Sequence, residues 1–278
     1  MYKRRGFTLV ELLVVIAIIA MLMSILMPAL GRTRKQAMAV AGLTRLHQWG
    51  LVFSVYTGKN GGAWHQREVG TDKGFSKMWL YTYEPYYNDK EMLCCPAANV
   101  PTRNYDIFST WGGPGWDYRR FGTWNPDGPY APNPPYYGSY GFNRFVIDMR
   151  GGEENRKEYW RRADVKGADQ IPVLMDCLYV NLFYSPTDKP PEHENDTSAS
   201  GIGQACINRH LGHINVCFAD FSSRKIGLKQ LWTLKGSRTF EVCNDYTICG
   251  YGSGADAVRQ CADFWDVAAV WMKDFPEY

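Results

Sequence analysis

No C-x-x-C pair occurs among the eight cysteines, at positions 94, 95, 177, 206, 217, 243, 249 and 261, which argues against zinc ribbons and thioredoxin-like centres. Net charge is almost absent as well: 31 basic against 28 acidic residues leave +3, too weak a bias to point to nucleic acid. A disordered composition is also missing, since hydrophobic residues make up 45% of the chain and aromatics 15%. The familiar catalytic spellings are incomplete. His193-Glu194 lacks the second histidine of a zinc protease, and Gly250, Gly252 and Gly254 lack the long apolar strand that precedes a dinucleotide-binding turn. Nothing supports a Ser or Cys nucleophile, so an enzyme is not expected. At 278 residues the chain can bury an ordinary core without help from metals or disulfides.

The small positive charge is local. Lys3, Arg4 and Arg5 account for all of it, and without them the chain holds 28 basic and 28 acidic residues. From Gln36 onward there are 25 basic and 27 acidic residues, so this part offers no basic surface by composition. A DNA-uptake role is not favoured.

Behind the three basic residues lies the one long apolar run. Between Phe7 and Leu30 the only charge is Glu11, and the only other polar side chains are Thr8 and Ser24. As a helix it would span roughly 36 Å, enough for a bilayer core of about 30 Å. A secretory signal peptide would have a shorter apolar stretch and a small-residue cleavage site, and neither is found. Glu11 needs a reason to be there, because a charge in hydrocarbon costs about 2.5–3.5 kcal/mol at mid-bilayer.

Gly6, Phe7, Thr8, Leu9, Val10 and Glu11, between a short basic leader and an apolar helix, resemble the type IV prepilin and pseudopilin signature. The resemblance implies cleavage by a membrane prepilin peptidase between Gly6 and Phe7, and methylation of the new N-terminus. Glu11 then becomes the fifth mature residue, and the ammonium on Phe7 of one subunit can neutralise Glu11 of its neighbour when helices bundle into a filament. Pro28 should kink or loosen the helix. Members of this family often carry a proline there. Beyond Arg32, Arg34 and Lys35, the residues Val40, Leu43, His47, Gly50 and Phe53 recur at steps of three and four, which predicts an amphipathic continuation to about Tyr56. Gly58 to Gly62 should end it. Three basic residues lie on each side of the span, so orientation rests on the cleavage motif and the cysteines, which put the bulk of the protein outside the cytoplasm.

The remainder resembles bacterial prepilin-like proteins marked by a His, nine residues, then Asp-Gly. Trp79 to Tyr87 with Cys95-Pro96 is similar to that group's aromatic helix and Cys-Pro step, and Ser139 to Asn143 is similar to its Ser-Tyr-Gly-x-Asn turn. Ile171 to Asp176 is similar to an apolar strand ending in Asp, and His210 to Asp220 has the spacing of the signature itself. Phe221 stands where the group has glycine. A longer turn is therefore expected between the strands Ile214 to Ala219 and Arg224 to Leu228.

Asp176, His210 and Asp220 are candidates for a shared site, either a buried hydrogen-bond network or a cation site. Calcium, which some pseudopilins use, is the cation considered, although histidine is a poor calcium ligand. No other cofactor is expected. For an extracytoplasmic domain the even cysteine count suggests disulfides drawn from Cys177, Cys206, Cys217, Cys243, Cys249 and Cys261, with open connectivity. Cys94 and Cys95 are not expected to bond each other. From Trp111 to Gly141 there are seven glycines, six prolines and nine aromatics, which predicts a long loop.

The expected fold is α+β and pilin-like, a long N-terminal helix packed against a small antiparallel β-sheet with long loops. The expected divisions are a leader at 1–6, a transmembrane and assembly helix at 7–58, and an extracytoplasmic domain at 59–278. The resemblance implies a structural subunit of a type IV pilus-like or type II secretion pseudopilus filament. Its partners would be copies of itself, the prepilin peptidase, the inner-membrane assembly platform and the membrane. Before assembly the chain would be a single-pass inner-membrane protein, and afterwards part of a periplasmic or cell-surface filament. The alternative is a minor adhesive subunit that binds glycans through the aromatic loop 111–141.

Overall fold

The computed structural model describes residues 9–68, 79–98, 111–112, 137–150, 157–185, 188, 190–194, 201–240 and 270–272. Helix α1 spans Leu9–Lys59, 51 residues, and is continuous through Pro28. At 1.5 Å per residue it is about 75 Å long. Pro28 only removes the N–H that would have bonded the Ser24 carbonyl. Every residue from 9 to 37 is exposed, and this half is long and apolar enough to cross a membrane.

The second half of α1 belongs to the folded domain. Its buried face includes Gly42, Leu46, Trp49, Gly50, Phe53 and Thr57. The stripe expected from sequence is thus rotated: Gly50 and Phe53 are buried, whereas Val40 and His47 point to solvent. Trp49 explains the rotation. Its indole Nε1 donates to the Met92 carbonyl at 2.7 Å, and its ring meets Tyr87 at 4.9 Å, Trp79 at 5.3 Å and Phe53 at 5.5 Å between centroids. Burying one such side chain stabilises by more than about 1.5–3 kcal/mol, so the helix turns to seat it. Two glycines then let the rod approach the sheet. A Cβ at Gly42 would meet Asn215 Nδ2 at 3.1 Å and Cys95 Sγ at 3.2 Å, and one at Gly50 would collide with the Phe221 carbonyl. Gly61, with φ +60°, ends the helix in a left-handed cap, and the Gly62 N–H donates to the Thr57 carbonyl at 2.7 Å.

The strands follow in chain order as β1 (Gln66–Glu68), β2 (Trp111–Gly112), β3 (Tyr137–Gly138), β4 (Tyr140–Asn143), β5 (Asp148–Arg150), β6 (Pro172–Asp176), β7 (Asn181–Leu182), β8 (His213–Phe218) and β9 (Ser223–Gly227). Five of them form the main sheet, in the order β7-β4-β6-β8-β9. Its pairs are antiparallel except β4 with β7. The short pairs β1–β5, parallel, and β2–β3, antiparallel, lie outside it. The aromatic helix is a single short element, α2 (Trp79–Tyr83), followed by a tight turn over Glu84–Tyr86. Long helix plus mostly antiparallel sheet is the α+β, pilin-like arrangement expected.

Both faces of the sheet are covered. Along β8, Ile214, Val216 and Phe218 face one apolar cluster with Met175, Leu182, Tyr184 and Trp232, while Cys217 and then Ala219 face the other, with Trp49, Phe53, Phe142 and Val173. This period of two is the ordinary alternation of a strand, here with apolar neighbours on both sides. Helix α1 and α2 supply the second cluster.

The β8–β9 hairpin does not use the longer turn expected. Phe218 N–H donates to the Ser222 carbonyl at 2.8 Å and Phe221 N–H to the Phe218 carbonyl at 2.9 Å, leaving a three-residue loop whose last residue, Phe221, has φ +68°. This is the compact form that normally places glycine in the left-handed position. Phenylalanine there costs about 1–2 kcal/mol. The offsetting contacts are visible: its ring meets Trp64 at 6.2 Å, and Asp220 Oδ1 accepts from Ser222 N–H at 3.0 Å and Ser222 Oγ at 2.6 Å.

The expected disulfides are not supported among the described residues. Cys94, Cys95, Cys177, Cys206 and Cys217 are buried thiols. Topology separates Cys217, on the helix side of the sheet, from Cys177 and Cys206 on the other face, where the Cys177 sulfur accepts from the Tyr179 N–H at 3.4 Å and the Cys206 thiol donates to Met272 Sδ at 3.4 Å. Cys243, Cys249 and Cys261 lie outside the described residues.

Candidate functional site

Gly6 and Phe7, the expected processing point, lie outside the described residues, as do most positions of the aromatic stretch 111–141. Glu11 occupies the first described turn of α1 and is exposed among Leu9, Val10, Leu12 and Leu13. It is the one acidic residue in the exposed half of α1, within its apolar run. Pro28 lies deeper in the same half.

The second constellation is buried where the sheet meets α1. Asp176 ends β6, and the Arg209-His210 pair arrives just before β8. His210 Nε2 lies 3.2 Å from Asp176 Oδ2 and 3.3 Å from Cys95 Sγ. Arg209 Nη1 donates to Asp176 Oδ1 and to the Ser139 carbonyl, both at 3.0 Å. The Asn215 N–H donates to Asp176 Oδ2 at 2.8 Å, and Ser139 Oγ accepts from the Cys95 N–H at 2.6 Å. The side chains of Asp176, Arg209 and His210 have no exposed surface. The cluster also holds the helix: Asn215 Nδ2 donates to the Ala39 carbonyl at 3.0 Å, and Tyr140 Oη donates to the Gly42 carbonyl at 3.2 Å.

Burial by itself would raise the Asp176 carboxyl. The charges of His210 and Arg209, with the hydrogen bonds from His210 and Asn215, outweigh it and hold the group down at about 2. The Cys95 thiol goes the other way, pushed up first by burial and then by the Asp176 charge. An ionised carboxylate thus sits beside a protonated thiol. The donor set does not suit calcium, which takes six or more oxygens, because Asp176 supplies the only carboxylate of the cluster.

Of the three residues singled out from sequence, Asp176 and His210 come together and Asp220 does not. Asp220 is exposed at the hairpin tip, where it caps the turn. Cys95, Ser139, Arg209 and Asn215 were missed as partners. The signal was present in the motifs, since each of the four stretches that resemble the His-x9-Asp-Gly group sends a residue to this point: Cys95, Ser139, Asp176, and Arg209 with His210.

No curated protein and no solved structure matches the chain. A family model described as the prokaryotic N-terminal methylation motif matches residues 1–27, covering the basic leader, the Gly6-Phe7 junction, Glu11 and most of the apolar run. Residues 1–27 therefore carry the prepilin-type N-terminal methylation motif, and the helix that begins in them continues into a pilin-like α+β domain.

Proposed function

We propose that the chain is a structural subunit of a type IV pilus-like or type II secretion pseudopilus filament, cut after Gly6 by a prepilin peptidase and assembled through α1. The carrying observation is the combination of the methylation motif with a helix whose first half is apolar and exposed, while its second half is built into the domain. Such a helix can lie in a bilayer before assembly and against other copies afterwards, because both environments cover apolar surface. The orientation rests on the motif. The cysteines lend it no weight, since the five described ones are thiols. Glu11 is then the residue that makes assembly selective, because the new Phe7 ammonium of a neighbouring copy offsets the cost of carrying its charge into an apolar bundle.

N-terminal mass spectrometry of membrane and sheared surface fractions tests this. The expected product begins with methylated Phe7, and it accumulates in filaments visible by electron microscopy. Replacing Gly6 with valine should leave an uncut precursor in the membrane. A Gly6→Val chain that still matures to Phe7 would overturn the reading.

A further inference from the structure

We propose that Cys95, Asp176 and His210 form a zinc site, with Cys95 Sγ, Asp176 Oδ2 and His210 Nε2 as its three protein ligands. The three donor atoms come from three separate segments and lie within 4.8 Å of one another in a fully buried cluster. Nε2 is 3.2 Å from Oδ2 and 3.3 Å from Sγ. A single ring N–H cannot point along both directions, so hydrogen bonding serves only one of these contacts well. A metal serves both. Zinc bonds of about 2.0–2.3 Å at tetrahedral angles set neighbouring ligand atoms about 3.3–3.7 Å apart, a few tenths of an ångström from the two distances that His210 Nε2 makes, and the third pair lies within 4.8 Å.

The donor types select the metal. One thiolate, one imidazole and one carboxylate are the mixed sulfur, nitrogen and oxygen set that suits zinc, and they disfavour calcium and magnesium, which need oxygen cages. The surroundings are those of a held site. Arg209 fixes Oδ1, the Asn215 N–H fixes Oδ2 from a second direction, and Ser139 Oγ fixes the main chain at Cys95. Such outer contacts orient ligands before the metal arrives. On the far side of the imidazole, His210 Nδ1 is buried and makes no hydrogen bond among the described residues. It can therefore carry the ring proton while the Nε2 lone pair faces the metal. Binding through Sγ requires the thiolate, so zinc would displace the Cys95 thiol proton. The cluster is sealed beneath α1, and the metal would be taken up as the domain folds.

The test uses the full chain, purified in detergent from cells grown with added zinc. Elemental analysis should find about one zinc per chain. Refolding in cobalt(II) should produce ligand-field bands and a thiolate-to-cobalt charge-transfer band. Cys95→Ser and His210→Gln should lower bound zinc by at least about tenfold, whereas Cys94→Ser should retain it. Cys95→Ser should also remove the charge-transfer band. Where a variant fails to fold, the native chain decides by its own zinc content and cobalt spectrum. Native protein that carries no zinc and gives no thiolate band overturns the site, as does a thiolate band that survives Cys95→Ser.

Discussion

The backbone of Gly50 lies against the carbonyl of Phe221, so closely that a methyl group at position 50 would take the space of that oxygen. One partner is a helical residue without a side chain. The other is a phenylalanine held at φ +68° at the tip of the β8–β9 hairpin. Helix and hairpin thus meet backbone to backbone, and neither can yield by rotating a side chain.

Gly50→Ala should accordingly destabilise the domain by about 1–3 kcal/mol, although alanine is the better helix former by about 1 kcal/mol. Gly58 provides the contrast within the same helix, since nothing lies within 4 Å of a Cβ there. Gly58→Ala should be neutral or stabilising by up to about 1 kcal/mol. Urea unfolding of both variants checks the pair; equal shifts would remove the close-approach argument.

Asp176→Asn should be costly, by about 3–5 kcal/mol, because it leaves the Arg209 guanidinium buried without its carboxylate. Arg209→Met combined with Asp176→Asn should be less destabilised than the sum of the single variants. A double-mutant cycle by denaturant unfolding measures this coupling. Strict additivity would mean that the ion pair is not a unit.

The Cys177 and Cys217 thiols are each pushed by burial from an ordinary value of 9.0 up to about 12. Between those values the unfolded chain gives up protons that the folded chain keeps. Stability should therefore be flat in pH below about 9 and fall steadily as pH rises toward about 12. The same burial should protect these thiols from alkylation at neutral pH until the protein is unfolded. Thiol counting under non-reducing conditions, before and after denaturant, reads this directly. Thiols that stay undetected after unfolding would indicate disulfides instead.

Glu11→Ala should leave membrane insertion and cleavage intact while filaments fall below detection. Immunoblots of cell and sheared fractions, with electron microscopy, separate the two effects. Normal filaments from this variant would end the argument that the Phe7 ammonium and Glu11 form the assembly pair.

The long helix was legible in sequence because an apolar run and a helical spacing are local patterns, and the hairpin and the strand ending in Asp176 were legible through the resemblance to the His-x9-Asp-Gly group. The rotation of α1 was not legible. It depends on the Trp49 indole finding the Met92 carbonyl, 43 positions away, and no helical period encodes that. The hairpin misled for a related reason, since Phe221 is tolerated in a glycine conformation through a ring contact with Trp64 that only the fold provides. The buried cluster was half visible: Asp176 and His210 could be picked from the resemblance to the His-x9-Asp-Gly group, but Cys95 meets His210 across 115 positions. Disulfides were expected from an even count of cysteines, and counting carries no information about which face of a sheet each side chain takes.

Because the second half of α1 is part of the core, the rod and the domain share one load path. A pull on the apolar end reaches the sheet through the Gly42 and Gly50 contacts and through the hydrogen bonds from Asn215 to Ala39 and from Tyr140 to Gly42. These bonds cross from the helix to the two strands flanking β6. Tension along the helix is therefore delivered near the middle of the sheet as shear spread over several backbone contacts, a geometry that resists rupture better than peeling from an edge strand would.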